Sequence, residues 1–92
     1  MEAVHAVFRG EAAETVARLT RDLLSLEVTS EAATRARLSE DVRSSLHSLK
    51  GSAAMMGLAE VAALMHQIED DFGAGAGLSD LSALVSGVLE GL

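Results

Sequence analysis

The chain of 92 residues has no cysteine, no proline, no tryptophan and no tyrosine, and it contains only two phenylalanines. Without cysteine it can form neither a disulfide framework nor a thiolate metal site. Without proline it lacks the residue that most strongly breaks a helical period. Basic residues are also scarce: 7 stand against 14 acidic ones, for a formal net charge of −7. So acidic a chain is expected to repel nucleic acid and anionic membranes, and we predict neither as a partner.

Hydrophobic residues, mostly Ala, Leu and Val, make up 49% of the chain, which is enough for one small core. We therefore expect a single domain over residues 1–92. Long apolar runs are missing, because charged residues interrupt each of them. The sequence thus predicts no transmembrane segment and no signal peptide, and by default a cytoplasmic location.

Apolar residues recur at spacings of three and four along the chain and predict four amphipathic helices. The first three are expected at residues 3–27, 31–56 and 58–72, and the last follows Ser79, its expected N-cap. Four such helices joined by short connections predict an all-α fold, an antiparallel (up-down) four-helix bundle. The residues expected to face the core are Phe8, Ala12, Val16, Leu19, Leu23, Leu26, Leu38, Val42, Leu46, Leu49, Ala53, Met56, Val61, Met65, Ile68, Phe72, Leu81, Leu84, Val85, Val88 and Leu92.

The connections carry recognisable end signals. Thr29 and Ser30 are expected to break the first helix and to offer an N-cap for the second. Gly57 is expected to end the second helix in the left-handed conformation. The segment GAGAG at residues 73–77 is expected to be a flexible loop. It lacks the Lys-Ser/Thr of a phosphate-binding loop and follows no predicted strand, so we expect no nucleotide site in this domain.

The segment HSLKGSAAMMG, which begins at His47, places the chain's one lysine and a glycine inside a predicted helix. At about 100° per residue, His47 lies away from the core stripe and is expected to face solvent. Its neighbours on that face are Arg43, Lys50, Gly51 and Ala54. Since glycine costs about 1 kcal/mol relative to alanine within a helix, Gly51 indicates that another molecule approaches closely. Lys50 is a compact charge suited to a phosphoryl group. The competing interpretation is an ordinary surface histidine.

The third predicted helix carries a second polar face, with His66 and Glu69 beside its core stripe. If the second and third helices form an antiparallel hairpin, both side chains come near His47. A carboxylate that accepts a hydrogen bond from one imidazole nitrogen fixes the tautomer and leaves the other nitrogen free as a nucleophile. The alternative is that Glu69 is simply a solvated acid in the run of residues 69–71.

A small apolar patch for a transient partner is expected at Ala54, Leu58 and Ala62 on the surface of the same hairpin. Met55 is a further candidate for this patch, but a methionine beside a core stripe more often fills the core, and we expect it there.

Two other functions compete at this stage. The chain could be an interaction or dimerisation bundle with an incidental surface histidine. It could also bind a metal through His47, His66 and Glu69, but the Glu-x-x-His spacing of such bundles is missing, so we expect no metal site. His5 lies near one end of the chain and is expected at the surface. No serine or cysteine has a visible base, which disfavours a hydrolase.

The motif HSLKGSAAMMG resembles the signature of histidine-containing phosphotransfer (HPt) domains. The version here is most similar to the N-terminal phosphoacceptor domain of chemotaxis-type histidine kinases. The likeness extends over most of the chain: F-x-x-E-A-x-E from Phe8 to Glu14, LLSLE at residues 23–27, and a stretch from Val61 to Asp70 that contains His66 and Glu69. The glycine-rich loop departs from many relatives, which carry a basic residue there. The sequence also predicts only four helices where relatives often have a fifth, so we expect either a fragment of a longer kinase or a reduced domain.

The resemblance implies that His47 is phosphorylated, that Lys50 steadies the phosphoryl oxygens and that Gly51 clears room for the partner. It implies that His66 and Glu69 join the hydrogen-bond network of His47, with Glu69 setting the tautomer. The expected partners are an ATP-bearing histidine kinase domain and the receiver domain of a response regulator, which carry the ATP and Mg²⁺. The domain itself is expected to bind no cofactor, to have no independent turnover and to belong to a larger multidomain kinase.

Overall fold

The computed structural model describes residues 2–75 and 77–88, and the side chains of residues 6–75 and 77–88. These residues form four helices: α1 is Glu2–Val28, α2 is Ala32–Met55, α3 is Ala59–Gly73 and α4 is Leu78–Val88. The described residues contain no strand. The predicted all-α four-helix fold is confirmed, and the predicted bounds of the first three helices are each shifted by one residue.

The four helices pack as a closed ring of neighbours. α2 packs on α1 and α3, and α4 also packs on α1 and α3, so that α1 stands diagonally across from α3. Since the connections are only a few residues long, successive helices run antiparallel. The domain measures 45 × 20 × 18 Å, and its long dimension is set by α1, which at 27 residues spans about 40 Å.

The core follows the predicted stripes closely. Every stripe residue of α1 is buried, as are those of the other helices with few exceptions. Met56 and Phe72 are half-buried against the core. Leu84 is 40% exposed, because Val85, one position further round the helix, takes the inward place. Leu92 lies outside the described residues. The pattern also missed a buried polar residue, Ser45, which is 6% exposed.

The turn between α2 and α3 forms as predicted. Gly57 has φ +75°, its N–H donates to the carbonyl of Ala54 at 3.1 Å, and the N–H of Leu58 donates to the carbonyl of Ala53 at 2.9 Å. These two bonds are the Schellman arrangement, which requires a left-handed residue and therefore favours glycine. The sharp turn places α3 directly alongside α2.

The predicted N-caps are wrong. α2 is preceded by Glu31 rather than Ser30 at the cap position, and no side chain caps its backbone. Arg35 instead holds this corner: its Nη1 donates to the carbonyls of Leu26 at 2.5 Å and Thr29 at 2.8 Å. Ser79 lies inside α4, which begins one residue earlier.

The glycine-rich loop is shorter than predicted, because α3 extends through Gly73. Gly75 turns the chain with φ +84°. Across the described residues, none of the helices combines the length and the apolar character needed to cross a bilayer.

Candidate functional site

His47 lies on the outer face of α2, and its predicted exposure to solvent is confirmed. The buried residues Leu46 and Leu49, 1% and 3% exposed, fix the rotation of the helix and turn the imidazole outward. Gly51, one turn further along the same face, is exposed, and a Cβ added to it would meet no atom within 4 Å. The domain's own packing therefore does not require a glycine at this position.

Lys50 and Glu69 join α2 to α3 one turn from His47. The distance from Lys50 Nζ to Glu69 Oε1 is 3.0 Å, and the side chains are 27% and 26% exposed. Oε1 itself is buried and receives no hydrogen bond of good geometry, so charge rather than an aligned hydrogen bond holds the pair. The ion pair brings a carboxylate to the α2–α3 seam, beside the lysine that lies one helical turn from His47.

The contacts of Glu69 and His66 differ from those predicted. Glu69 contacts Lys50, and His66 Nε2 lies 3.5 Å from Oδ2 of Asp70, one turn along α3, with both side chains about two-thirds exposed. Among the described residues, no hydrogen bond links His47 to either of them. Their roles around His47 therefore stay predictions.

Arg43 lies one turn before His47 on α2 and crosses to α3. Its guanidinium carbon is 5.6 Å from the ring centre of Phe72, within the range of a cation–π interaction. The contact leaves Arg43 exposed at the edge of the face that carries His47. The site thus has one cation on each side of the histidine, and only that of Lys50 is paired with a carboxylate among the described residues.

The predicted apolar patch is only partly correct. Ala54 is exposed, but Leu58 and Ala62 are half-buried against the core. The Schellman turn folds Leu58 back toward the last turn of α2, which is why it is covered. Met55 is 89% exposed, so its expected place in the core is wrong. It stands two positions, about 200° of rotation, from the buried Ala53.

The alternative metal site has no preformed donor cluster in the described part of the chain. No group of three His, Asp or Glu side chains there could hold an ion together. In particular, the contacts of Glu69 and His66 run to different residues rather than to a common point. The side chain of His5 lies outside the described residues.

These features define a four-helix bundle that presents a solvent-facing histidine with a lysine and a glycine on its next turn. The family model of the Hpt domain matches residues 3–92, and the chain belongs to this family. No curated protein and no solved structure matches the chain. As an Hpt domain it is a phosphotransfer carrier of two-component signalling, and such domains interact in general with kinases and receiver domains in phosphorelays.

Proposed function

We propose that His47 is the residue that carries the phosphoryl group. A histidine kinase domain with bound ATP and Mg²⁺ is the donor, and the aspartate of a response-regulator receiver is the acceptor. The observation that carries the proposal is the exposure of His47 on α2, with Lys50 and the bare surface at Gly51 on the next turn. In a member of this family, that is the arrangement a carrier needs, because two different proteins must reach one nitrogen.

The transfer consists of two displacements at phosphorus. In the first, Nε2 of the neutral imidazole attacks the γ-phosphorus of ATP, a P–N bond forms, the bond to the β-phosphate oxygen breaks and ADP leaves. The other ring nitrogen, Nδ1, bears the only N–H proton of the neutral imidazole and keeps it during the attack. In the second, a carboxylate oxygen of the receiver attacks phosphorus and the imidazole leaves. Such reactions depend mainly on positioning and on neutralising charge, which is what this domain supplies.

Lys50 supplies a positive charge on the side of His47 that faces α3. Glu69, 3.0 Å from its ammonium, fixes the position of this charge but also offsets it in the free domain. An ammonium has three donors, so a phosphoryl oxygen and the carboxylate can share it. A dianionic group on His47 then draws Lys50 toward itself, and the carboxylate keeps the lysine close to the seam between the helices.

The docking face consists of His47, Gly51, Ala54 and Met55 on the outer side of α2. Met55, at 89% exposure, is the large apolar side chain of this face, and Gly51 is its lowest point. Exposed methionine suits a surface that must fit two partners in turn, because its unbranched side chain adapts its shape. Similarity to the phosphoacceptor domains of chemotaxis-type kinases supports a cytoplasmic chemotaxis-like kinase as the parent protein and source of the donor domain.

The test uses the purified chain, a histidine kinase and ATP labelled at the γ-phosphate. We expect label that is stable in alkali, is lost in acid and moves to a receiver domain when one is added. His47→Gln should abolish labelling, whereas His66→Gln, which removes an exposed histidine of the neighbouring helix but keeps the acceptor, should slow labelling at most and not abolish it. Circular dichroism should show the same helix content for both variants, because neither side chain is part of the core.

Three outcomes would overturn the proposal. Label that persists in His47→Gln would place the acceptor elsewhere. Label that requires His47 but is not transferred to any receiver domain would mean that the domain does not act as a carrier. If no kinase labels the wild-type chain and His47→Ala leaves the signalling output unchanged, the interaction-bundle alternative is correct.

A further inference from the structure

The outer side of α1 carries an apolar stripe that the bundle does not use. It consists of Ala6, Gly10, Ala13, Ala17, Leu24 and Val28, all of which are exposed. At 100° per residue these positions fall within a sector of about 60°, and their spacings of three, four and seven residues match a helix–helix contact. Leu24 is 50% and Val28 85% exposed. Around Leu24 and Val28 the surface forms a shallow groove of mainly apolar lining.

Gly10 is the position on this stripe that the domain's own fold does not explain. It lies inside a 27-residue helix, where glycine is unfavourable by about 1 kcal/mol relative to alanine. A Cβ placed on it would meet no atom within 4 Å, so no neighbour in the bundle requires its absence. A large side chain from outside could rest on the backbone there.

Four charged side chains flank the stripe, two on each side. Arg9 and Glu27 share one flank, and Glu14 and Arg21 share the other. All four are exposed, and none takes part in an ion pair within the described part of the chain. Each flank thus offers one base and one acid. Arg9 and Glu27 are 18 positions apart, and Glu14 and Arg21 are 7 positions apart.

We propose that this face of α1 binds a second copy of the chain, with the two α1 helices antiparallel and crossing at Ala17. A two-fold axis at that residue places Leu24 of one copy on Gly10 of the other, and Val28 on Ala6. The exposed leucine then fills the space that the glycine leaves open.

The charges favour the same alignment. A two-fold axis perpendicular to two antiparallel helices brings the same flank of each copy together. Glu14 then faces Arg21 of the second copy, and Arg9 faces Glu27, within about 3 Å along the axis. A parallel pair would oppose the two glycines, which leaves a void, and would match only Arg9 with Glu14. The antiparallel dimer therefore uses all four charges, whereas the parallel one leaves two without partners.

The dimer leaves the transfer sites free. α1 stands diagonally across from α3, and His47 lies on the side of α2 that joins α3 through Lys50 and Glu69. A single helix pair buries an area at the low end of stable interface sizes, so the association is weak. In this dimer, His47 of each copy stays accessible to a kinase or receiver domain at the same time.

The experiment is sedimentation velocity of the 92-residue chain over a wide concentration range at fixed ionic strength, high enough to screen the repulsion between two copies of net charge −7. We expect a reversible monomer–dimer equilibrium. Gly10→Leu should fill the space for Leu24 and weaken dimerisation about tenfold or more, the size of a small core defect at an interface. The matched control, Gly51→Leu, also adds bulk to an open helical glycine but lies on α2, and it should leave the dimer unchanged.

Charge exchange tests the alignment directly. Arg9→Glu places like charges opposite each other twice in the antiparallel dimer and should weaken it, and adding Glu27→Arg should restore it. These two residues are too far apart in one chain to restore each other internally. Restoration by Glu14→Arg instead would mean a parallel pair and contradict the alignment. A chain that stays monomeric at the highest concentration, or a dimer indifferent to Gly10→Leu, would overturn the proposal.

Discussion

Replacing Gly51 should separate the stability of the domain from its function. The position is inside α2, and a Cβ there meets no atom within 4 Å. Gly51→Ala should therefore gain the difference in helix propensity, about 1 kcal/mol in the free energy of unfolding. For a domain of this size, that corresponds to a rise in Tm of roughly 4–8 °C. Gly51→Leu should stabilise the domain by a similar amount.

Phosphotransfer should change in the opposite direction. A leucine at Gly51 stands one turn from His47 on the docking face and holds a partner away from the imidazole. A misplacement of about 1 Å can lower the rate of such a step about a hundredfold, so we expect a loss of at least tenfold for Gly51→Leu and a smaller one for Gly51→Ala. The assay is the rate of label transfer from the phosphorylated domain to a receiver, measured beside thermal unfolding.

The control is Gly10→Leu, an equally open helical glycine on α1, far from His47. Measured at concentrations too low for self-association, it should raise Tm without slowing transfer. The reasoning fails if Gly51→Leu lowers Tm, because the glycine would then serve the domain's own fold. It also fails if transfer proceeds at the wild-type rate, because no partner would then approach that surface closely.

Three further predictions concern charge and the docking face. In a double-mutant cycle of Lys50→Met and Glu69→Gln, the coupling in the free energy of unfolding should be about 1 kcal/mol. This coupling exceeds that of most exposed ion pairs because both side chains are about three-quarters buried. A coupling near zero would mean that the contact does not stabilise the fold. Burial, and then the charge of Asp41 on α2, raise the pKa of Asp22 above its usual 3.8. The folded chain therefore binds this proton more tightly than the unfolded one, so the contribution of Asp22 to stability falls as pH rises through the interval above 3.8. Asp22→Asn should remove this pH dependence of the unfolding free energy and, at neutral pH, leave the domain at least as stable as the wild type in urea unfolding. An unchanged pH dependence would mean that another group causes it. Met55→Ala should leave Tm nearly unchanged, because the side chain is 89% exposed, yet weaken receiver binding measured by titration calorimetry; unchanged affinity would remove Met55 from the docking face.

The fold was predictable because helical periodicity records which residues are buried. The stripe through Val42, Leu46 and Leu49 fixed the rotation of α2, and that rotation alone places His47 at the surface. Gly57 could be recognised because only a residue that tolerates positive φ ends a helix in the Schellman arrangement.

The details that sequence reasoning missed depend on relations between helices. The Lys50–Glu69 contact requires the register of α2 against α3 and the reach of both side chains, neither of which a periodic pattern contains. The corner between α1 and α2 is held by Arg35, which donates to two carbonyls, and no local capping rule points to so distant a donor. Met55 is exposed although the next residue, Met56, packs against the core. One position near the end of a helix is a rotation of about 100°, which is enough to turn a side chain from the core to the surface.

The central claim is that one nitrogen of one histidine carries the phosphoryl group. The most direct measurement is a phosphorus–proton NMR correlation on the phosphorylated chain, with the imidazole signals assigned. We predict that the phosphorus couples to the ring of His47 and that the bond is to Nε2. A phosphorus signal coupled to His66, to His5 or to no imidazole at all would contradict the account.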